Sequence, residues 1–287
     1  MPAGTRVLLL PERRRFAGQA FSPAFARSAR RFRQDTGAAG ESAQLQRHFR
    51  CEPDGWPMAA LCRQAGPGDA GDGQWLLADP VHLQMEMRDA RLMAWDTLPL
   101  SGSETDAIHQ ALAPVFADAG YRFLGGDGRF FLRTATDEVL PAFTPAPEML
   151  GCTLSDHLPA ERRWTALFNE CQVILYNHPL NVERQRRGMV TVNALWFWGQ
   201  GALPSAVHHG FARIESSAWD IRALAAQGMA DGGGELLDLR QSRDWLAVEA
   251  AFDPTRETRF DFADGTLWRW LPSYRWQLWR RRSIALA

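Results

Sequence analysis

Five side chains able to grip an anion fall within residues 178–187: His178, Asn181, Arg184, Arg186 and Arg187. Guanidinium groups present planar forks that match carboxylate and phosphate oxygens two at a time, so three of them beside an imidazole and an amide suit a small anionic ligand. Asn193 opens an apolar, aromatic run that reaches Trp198, and Gly199-Gln200-Gly201 follows, where backbone without side chains admits a close neighbour or a phosphate. Asp79 and His82 flank Pro80 at what reads as the end of a strand, and ligands of open α/β sheets gather at such ends. The candidate ligand-binding residues are therefore His178, Asn181, Arg184, Asn193, Trp198, Gly199, Gly201, Asp79 and His82. Each has a plainer reading beside it. Arg186 and Arg187 suit the solvated face of a helix, Trp196 and Trp198 suit a core, His178 before Pro179 suits a turn, and Asp79 suits a cap.

The elements that must position these groups follow from periodicity. Residues 6–11 read as a short buried strand, and the basic stretch 13–49 as helical with a break at 37–40. The Gly-rich run 66–73 is a turn, 74–78 a second strand stopped by Pro80, and 91–98 a third. A helix over 103–119 has Ser103 as its cap and Ile108, Leu112, Val115 and Phe116 near one face. Residues 129–134 form a strand, 161–175 a helix with one apolar stripe, and 217–226 and 242–251 helices around a strand at 235–239. The run TRFDFADGTLWRW alternates on both sides of an Ala-Asp-Gly turn and predicts a C-terminal β-hairpin that buries Trp268 and Trp270. Three prolines within 140–151 mark a boundary between an N-terminal lobe, 1–140, and a C-terminal lobe, 151–287, each of α/β type.

Composition narrows the function classes. All 32 basic residues are Arg, so Schiff-base catalysis and a phosphate-loop lysine are excluded. No apolar run is long enough for a membrane span, and the opening reads as a first strand, not a signal peptide. Cys51, Cys62, Cys152 and Cys171 are scattered without a C-x-x-C pair, which fits reduced thiols in the cytoplasm. The tail at 268–282 is rich in Arg and Trp, but the net charge of -1 argues against nucleic acid as a partner. A protein partner for that tail stays open.

The order H-P-x-N-x-x-R, then G, then N-x-x-W-x-W-G-x-G, then P is occupied by His178, Pro179, Asn181, Arg184, Gly188, Asn193, Trp196, Trp198, Gly199, Gly201 and Pro204. It resembles a stretch of the archaeal-type cofactor-independent phosphoglycerate mutases of the alkaline phosphatase superfamily. Over more of its length the chain is similar to the bacterial proteins called regulatory protein, RpfE type, through WLLADPVHL at 75–83, NECQVILYNHPLN at 169–181, NALWFWGQGALP at 193–204 and DFADG at 261–265. The resemblance implies an alkaline-phosphatase-like α/β fold, incomplete relative to the full mutase.

Mutase chemistry would need two divalent ions, Mn or Mg, with a nucleophilic serine, an Asp ending the first strand and a late Asp-x-x-Gly-His cluster. Here the first strand ends in Leu10-Pro11 with only Glu12 nearby, and His208 and His209 are the sole histidines of the last 80 residues. The expectation is a regulatory or metabolite-sensing protein without a metal cofactor, a catalytically degenerate relative that holds a small anionic metabolite at His178, Asn181, Arg184 and Asn193. An active phosphomutase or phosphatase would have to draw its metal from Asp79, His82, Asp156, His157, His208 and His209. A protein-interaction module is the third possibility.

Overall fold

The computed structural model describes every residue except 1–3, 127, 136, 277–283 and 287. The fold is mixed α/β, as expected, in two compact units: Met1–Glu52 with Ala206–Ala287 forms unit 1, and Pro53–Ser205 forms unit 2. This division does not follow the expected boundary at 140–151, which lies inside unit 2. The reason is strand pairing at long range, described next, which no local break in composition reports.

Unit 1 begins with β1 (Arg6–Leu10), α1 (Pro23–Ala29), β2 (Arg33–Thr36), α2 (Glu41–Gln46) and β3 (Phe49–Glu52). Unit 2 contributes α3 (Met58–Ala65), β4 (Gln74–Met85), β5 (Ala90–Ala94), α4 (Gly102–Asp118), β6 (Arg122–Gly126), β7 (Arg129–Thr134), α5 (Ala146–Met149), α6 (Arg162–Tyr176), α7 (Pro179–Arg186) and β8 (Ala194–Gly201). Unit 1 resumes with β9 (Ala206–Glu215), α8 (Trp219–Ala226), β10 (Gly228–Asp238), α9 (Trp245–Ala250), β11 (Thr258–Phe262) and β12 (Thr266–Trp270).

In unit 1 a seven-stranded sheet runs β2-β12-β11-β1-β10-β9-β3. β1 lies parallel between β10 and β11, and β3 pairs antiparallel with β9, Glu52 opposite Ala206. Val7, Leu8, Leu9 and Leu10 are all buried, as a central strand covered on both faces requires. One face carries an aromatic cluster of Phe16, Phe25, Phe32, Trp245, Phe260, Phe262, Trp268 and Trp270. The predicted hairpin is present as β11 and β12, with both tryptophans buried and Arg269 paired to Glu257. Its turn needs Gly265: φ is +82°, and a Cβ there would stand 2.4 Å from the Gly37 carbonyl oxygen. Of the basic tail, residues 277–282 lie outside the described residues.

Unit 2 is built on β4, which has β8 on one side and β7 then β5 on the other. Pro80 does not stop this strand. The ladder on the β7 and β5 side lapses between Leu77 and His82, which is where the proline sits, so its missing N–H interrupts nothing there. Asp79 is therefore an interior strand residue, 1% exposed, not a strand-end group. The stretch 13–49, read as helical, contains β2 and the first residue of β3 as well as two helices, and β6 and β9 were not anticipated. No helix among the described residues is long and apolar enough to cross a membrane.

The cap of α4 is Ser101, two residues before the expected Ser103. Ser101 Oγ accepts from the Glu104 N–H, and Glu104 returns a carboxylate to the Ser101 N–H at 2.8 Å. Ser101→Ala should lower the stability of unit 2 by about 1 kcal/mol, the ordinary worth of an N-cap. Urea denaturation measures it, and an unchanged midpoint would show the cap idle.

Candidate functional site

The nine candidate residues all lie in unit 2, and the structure draws them into one framework. His82 Nδ1 lies 2.9 Å from the Thr191 hydroxyl and 3.1 Å from its carbonyl. Asn193 clasps Leu83, accepting its N–H at 2.7 Å and donating to its carbonyl at 2.8 Å. Asn181 does the same to Val192, at 2.9 and 2.8 Å, and also donates to the Leu175 carbonyl. His178 is the N-cap of α7, accepting from the Leu180 N–H. Fully buried Arg184 donates to the carbonyls of Val190 and Pro99 and to Glu104, the carboxylate that also caps α4.

Gly199 and Gly201 receive a helix. A Cβ on Gly199 would stand 3.2 Å from the Ala59 nitrogen, and one on Gly201 2.8 Å from Pro57 Cβ, so both glycines let the start of α3 sit against β8. Trp198 and Asp79, far apart in sequence, meet: Asp79 Oδ2 accepts from the indole N–H groups of Trp198 at 2.9 Å and Trp95 at 2.7 Å. Arg129 Nη1 reaches both Asp79 oxygens at 3.0 Å, while its Nη2 lies 2.5 Å from Asp96. Burial would lower the Arg129 pKa, but Asp79 and Asp96 outweigh it and leave it raised. Asp96 adopts a left-handed φ of 55°, which the short Asp side chain tolerates. What these residues hold, in this arrangement, is the protein itself.

The edge where the parallel strands of unit 1 end is the other place for chemistry. β10 ends at Asp238 and β9 is followed by Ser216, which donates to Asp238 at 2.7 Å. Arg240, only 5% exposed, sits among carboxylates. Its guanidinium bonds Asp220 at 2.8 and 2.9 Å and Asp238 at 2.9 and 3.1 Å, with Glu41 at 3.5 Å. Burial alone would lower its pKa, but Asp220 and then Asp238 more than offset that and raise it. Burial likewise opposes ionisation of Asp238, yet the Arg240 hydrogen bond and charge hold it below the usual carboxylate range. Burial pushes Glu41 up, and Arg240 only partly pulls it back against Asp220 and Asp238.

Beyond β11, Asp264 pairs with Arg13 at 2.9 Å. The carboxylates at this edge thus face guanidinium groups. Among the described residues no group of three or more His, Cys, Asp or Glu side chains is arranged to hold a metal ion. The donor set does not fit the two-metal centre that mutase chemistry would need, because the convergent point of its carboxylates is already a cation. Arg240 was missed in the sequence. The signal was there in Asp238-Leu239-Arg240, a charged pair placed at the end of a predicted strand.

No family model matches the chain. A probable 2,3-bisphosphoglycerate-independent phosphoglycerate mutase from Geobacter sulfurreducens is 28% identical over 109 residues, 37% of this chain and 27% of that protein. The corresponding mutase from Methanosarcina acetivorans is 24% identical over 143 residues, 47% of this chain and 36% of its own length. The matched stretches thus span about a third or less of these relatives. A solved cofactor-independent phosphoglycerate mutase from Thermoplasma acidophilum has a TM-score of 0.38 at 13% identity, covering 94% of this chain and 89% of the other. A protein from Pyrococcus horikoshii has a TM-score of 0.44 at 9% identity, covering 94% and 87%. Such scores define no residue correspondence. The chain is similar at low identity, over part of its length, to the cofactor-independent phosphoglycerate mutases.

Proposed function

We propose that this chain is a catalytically degenerate relative of the cofactor-independent phosphoglycerate mutases, alkaline-phosphatase-like in fold, that senses a small phosphorylated or carboxylated metabolite. Its role is regulatory, of the kind the RpfE-type resemblance implies, in the cytoplasm with its four thiols reduced. The observation that supports the loss of catalysis is the Arg240 cluster: Asp220, Asp238 and Glu41, at the sheet edge suited to a metal, surround a guanidinium. A guanidinium neutralises carboxylates but offers no vacant coordination position to a phosphate oxygen. The ligand role of residues 177–201 has less support, since the polar groups of Asn181, Arg184 and Asn193 are engaged with main chain and Glu104.

Incubation with Mn²⁺ or Mg²⁺ and either 3-phosphoglycerate or a generic phosphate ester should give no turnover above the blank, whereas calorimetry should detect 3-phosphoglycerate binding. Turnover abolished by a chelator would overturn the reading in favour of an active metal-dependent phosphomutase or phosphatase, the alternative favoured by the mutases among its relatives.

A further inference from the structure

The large sheet of unit 1 ends on one side in β2, whose residues Arg33, Gln34, Asp35 and Thr36 are all exposed. Its inner edge pairs antiparallel with β12, Gln34 opposite Trp268 and Asp35 opposite Leu267. One step past that ladder the Gly37 N–H donates to the Gly265 carbonyl. Hydrogen-bonded pairs alternate along an antiparallel ladder, so Arg33 and Asp35 bond inward to β12. Gln34 and Thr36 therefore turn their N–H and C=O groups outward, and no described residue bonds to them there.

Arg33 and Asp35, two positions apart, share one face of the strand. Arg33 faces Arg269 across the ladder, and the carboxylate nearest that couple, Glu257, is bonded to Arg269 at 2.9 Å. The Arg33 guanidinium lies over the Tyr274 ring, 5.4 Å from its centre, and makes no ion pair with a described residue. Asp35 makes none either. Like charges directly opposite are unfavourable, so β2 presents a cation and an anion that each lack a counter-ion. Charges often guard an exposed edge against a second strand. Here they do the reverse, because Arg-Gln-Asp is complementary to its own sequence read in the opposite direction.

We propose that β2 is a self-association edge, and that its occupant is the β2 of a second copy of this chain, paired antiparallel about a two-fold axis at Gln34. The two Gln34 residues exchange their outward N–H···O bonds. Arg33 of each copy then stands opposite Asp35 of the other, in the non-hydrogen-bonded pairs where side chains approach most closely. The same patch serves both copies, as a two-fold interface requires. The basic residues before the strand do not oppose this register. Arg31 of one copy and Arg31 of the other would be six strand steps apart, about 20 Å, beyond the screening length of exposed charges. The opposite edge of the sheet, β3, is different: its Glu52 already holds His208 at 3.0 Å.

The test is sedimentation equilibrium of the full chain over a wide concentration range, with circular dichroism confirming the fold of each variant. Wild type should pass from monomer to dimer as concentration rises. Arg33→Asp and Asp35→Arg, each of which sets like charges opposite one another, should each weaken dimerisation by about tenfold or more. An equal mixture of those two variants should recover it, since every opposed pair is again of opposite sign. Gln34→Pro removes an outward N–H without breaking a bond to β12, and should abolish the dimer. A wild type that stays monomeric throughout would overturn the proposal. So would a dimer untouched by Gln34→Pro, or a mixture that associates no better than either variant alone.

Discussion

Replacing Arg240 with methionine should destabilise unit 1 by about 3 to 5 kcal/mol, the cost of breaking a buried ion pair from one side. Methionine keeps the stem and its packing but leaves Asp220 and Asp238, with 16% and 8% of their side chains exposed, facing each other without a counter-ion. Hydrogen exchange on the full chain measures the effect, with protection expected to fall in β9, β10 and α8. Lysine should rescue only part of it, because one ammonium cannot fork onto two carboxylates at once. The acid limb changes as well. Asp238 in the folded protein sits below its usual range, so its contribution is present above that range and is lost as pH falls through the folded value. In the Arg240→Met variant that limb should move to higher pH. A variant as stable as wild type would mean that the carboxylates pair with some other cation.

The second large effect is expected in unit 2. Asp79→Ala removes the acceptor shared by two indole N–H groups and by Arg129, whose side chain is only 16% exposed. The loss should again be about 3 to 5 kcal/mol, with Arg129 still held by Asp96 but deprived of its buried partner. Asp79→Asn should fall between, since the amide keeps one acceptor oxygen but presents an NH₂ to neighbours that are themselves donors. Urea unfolding followed by near-ultraviolet circular dichroism is a suitable readout, because Trp95 and Trp198 pack edge to face at 5.9 Å beside the carboxylate. An alanine variant with an unshifted midpoint would show that the indoles and Arg129 find other acceptors at no loss.

Elements whose reason for existing is local were legible in the sequence. The β11–β12 hairpin declares itself through alternation about Asp264-Gly265, β1 through four consecutive buried aliphatic residues, and α6 through its single apolar stripe. Elements that depend on distant partners were not. β9 interrupts its apolar positions with His208, His209 and Gly210, and the glycine-rich start of β10 hides a strand longer than the stretch 235–239 suggests. The pairing of Arg6 with Glu235 and Thr258 joins the ends of the chain, and local composition carries no trace of it.

The same distinction governs the candidate sites. Arg184, Asn181 and Asn193 were recognised by chemical type, which a buried framework and a binding site share. Only burial and partners separate the two, and here they point to framework.

The antiparallel couple Glu52 and Ala206 has a further consequence. The segment Pro53–Ser205 leaves and re-enters the large sheet at two residues already joined in one ladder, so its entire length is an insertion at what would otherwise be the tip of a hairpin. A tight turn spliced between residues 52 and 206 would preserve every strand neighbour of that sheet. The sheet's connectivity is thus independent of the cargo carried at that tip, which could be exchanged, enlarged or lost in descent without rewiring it.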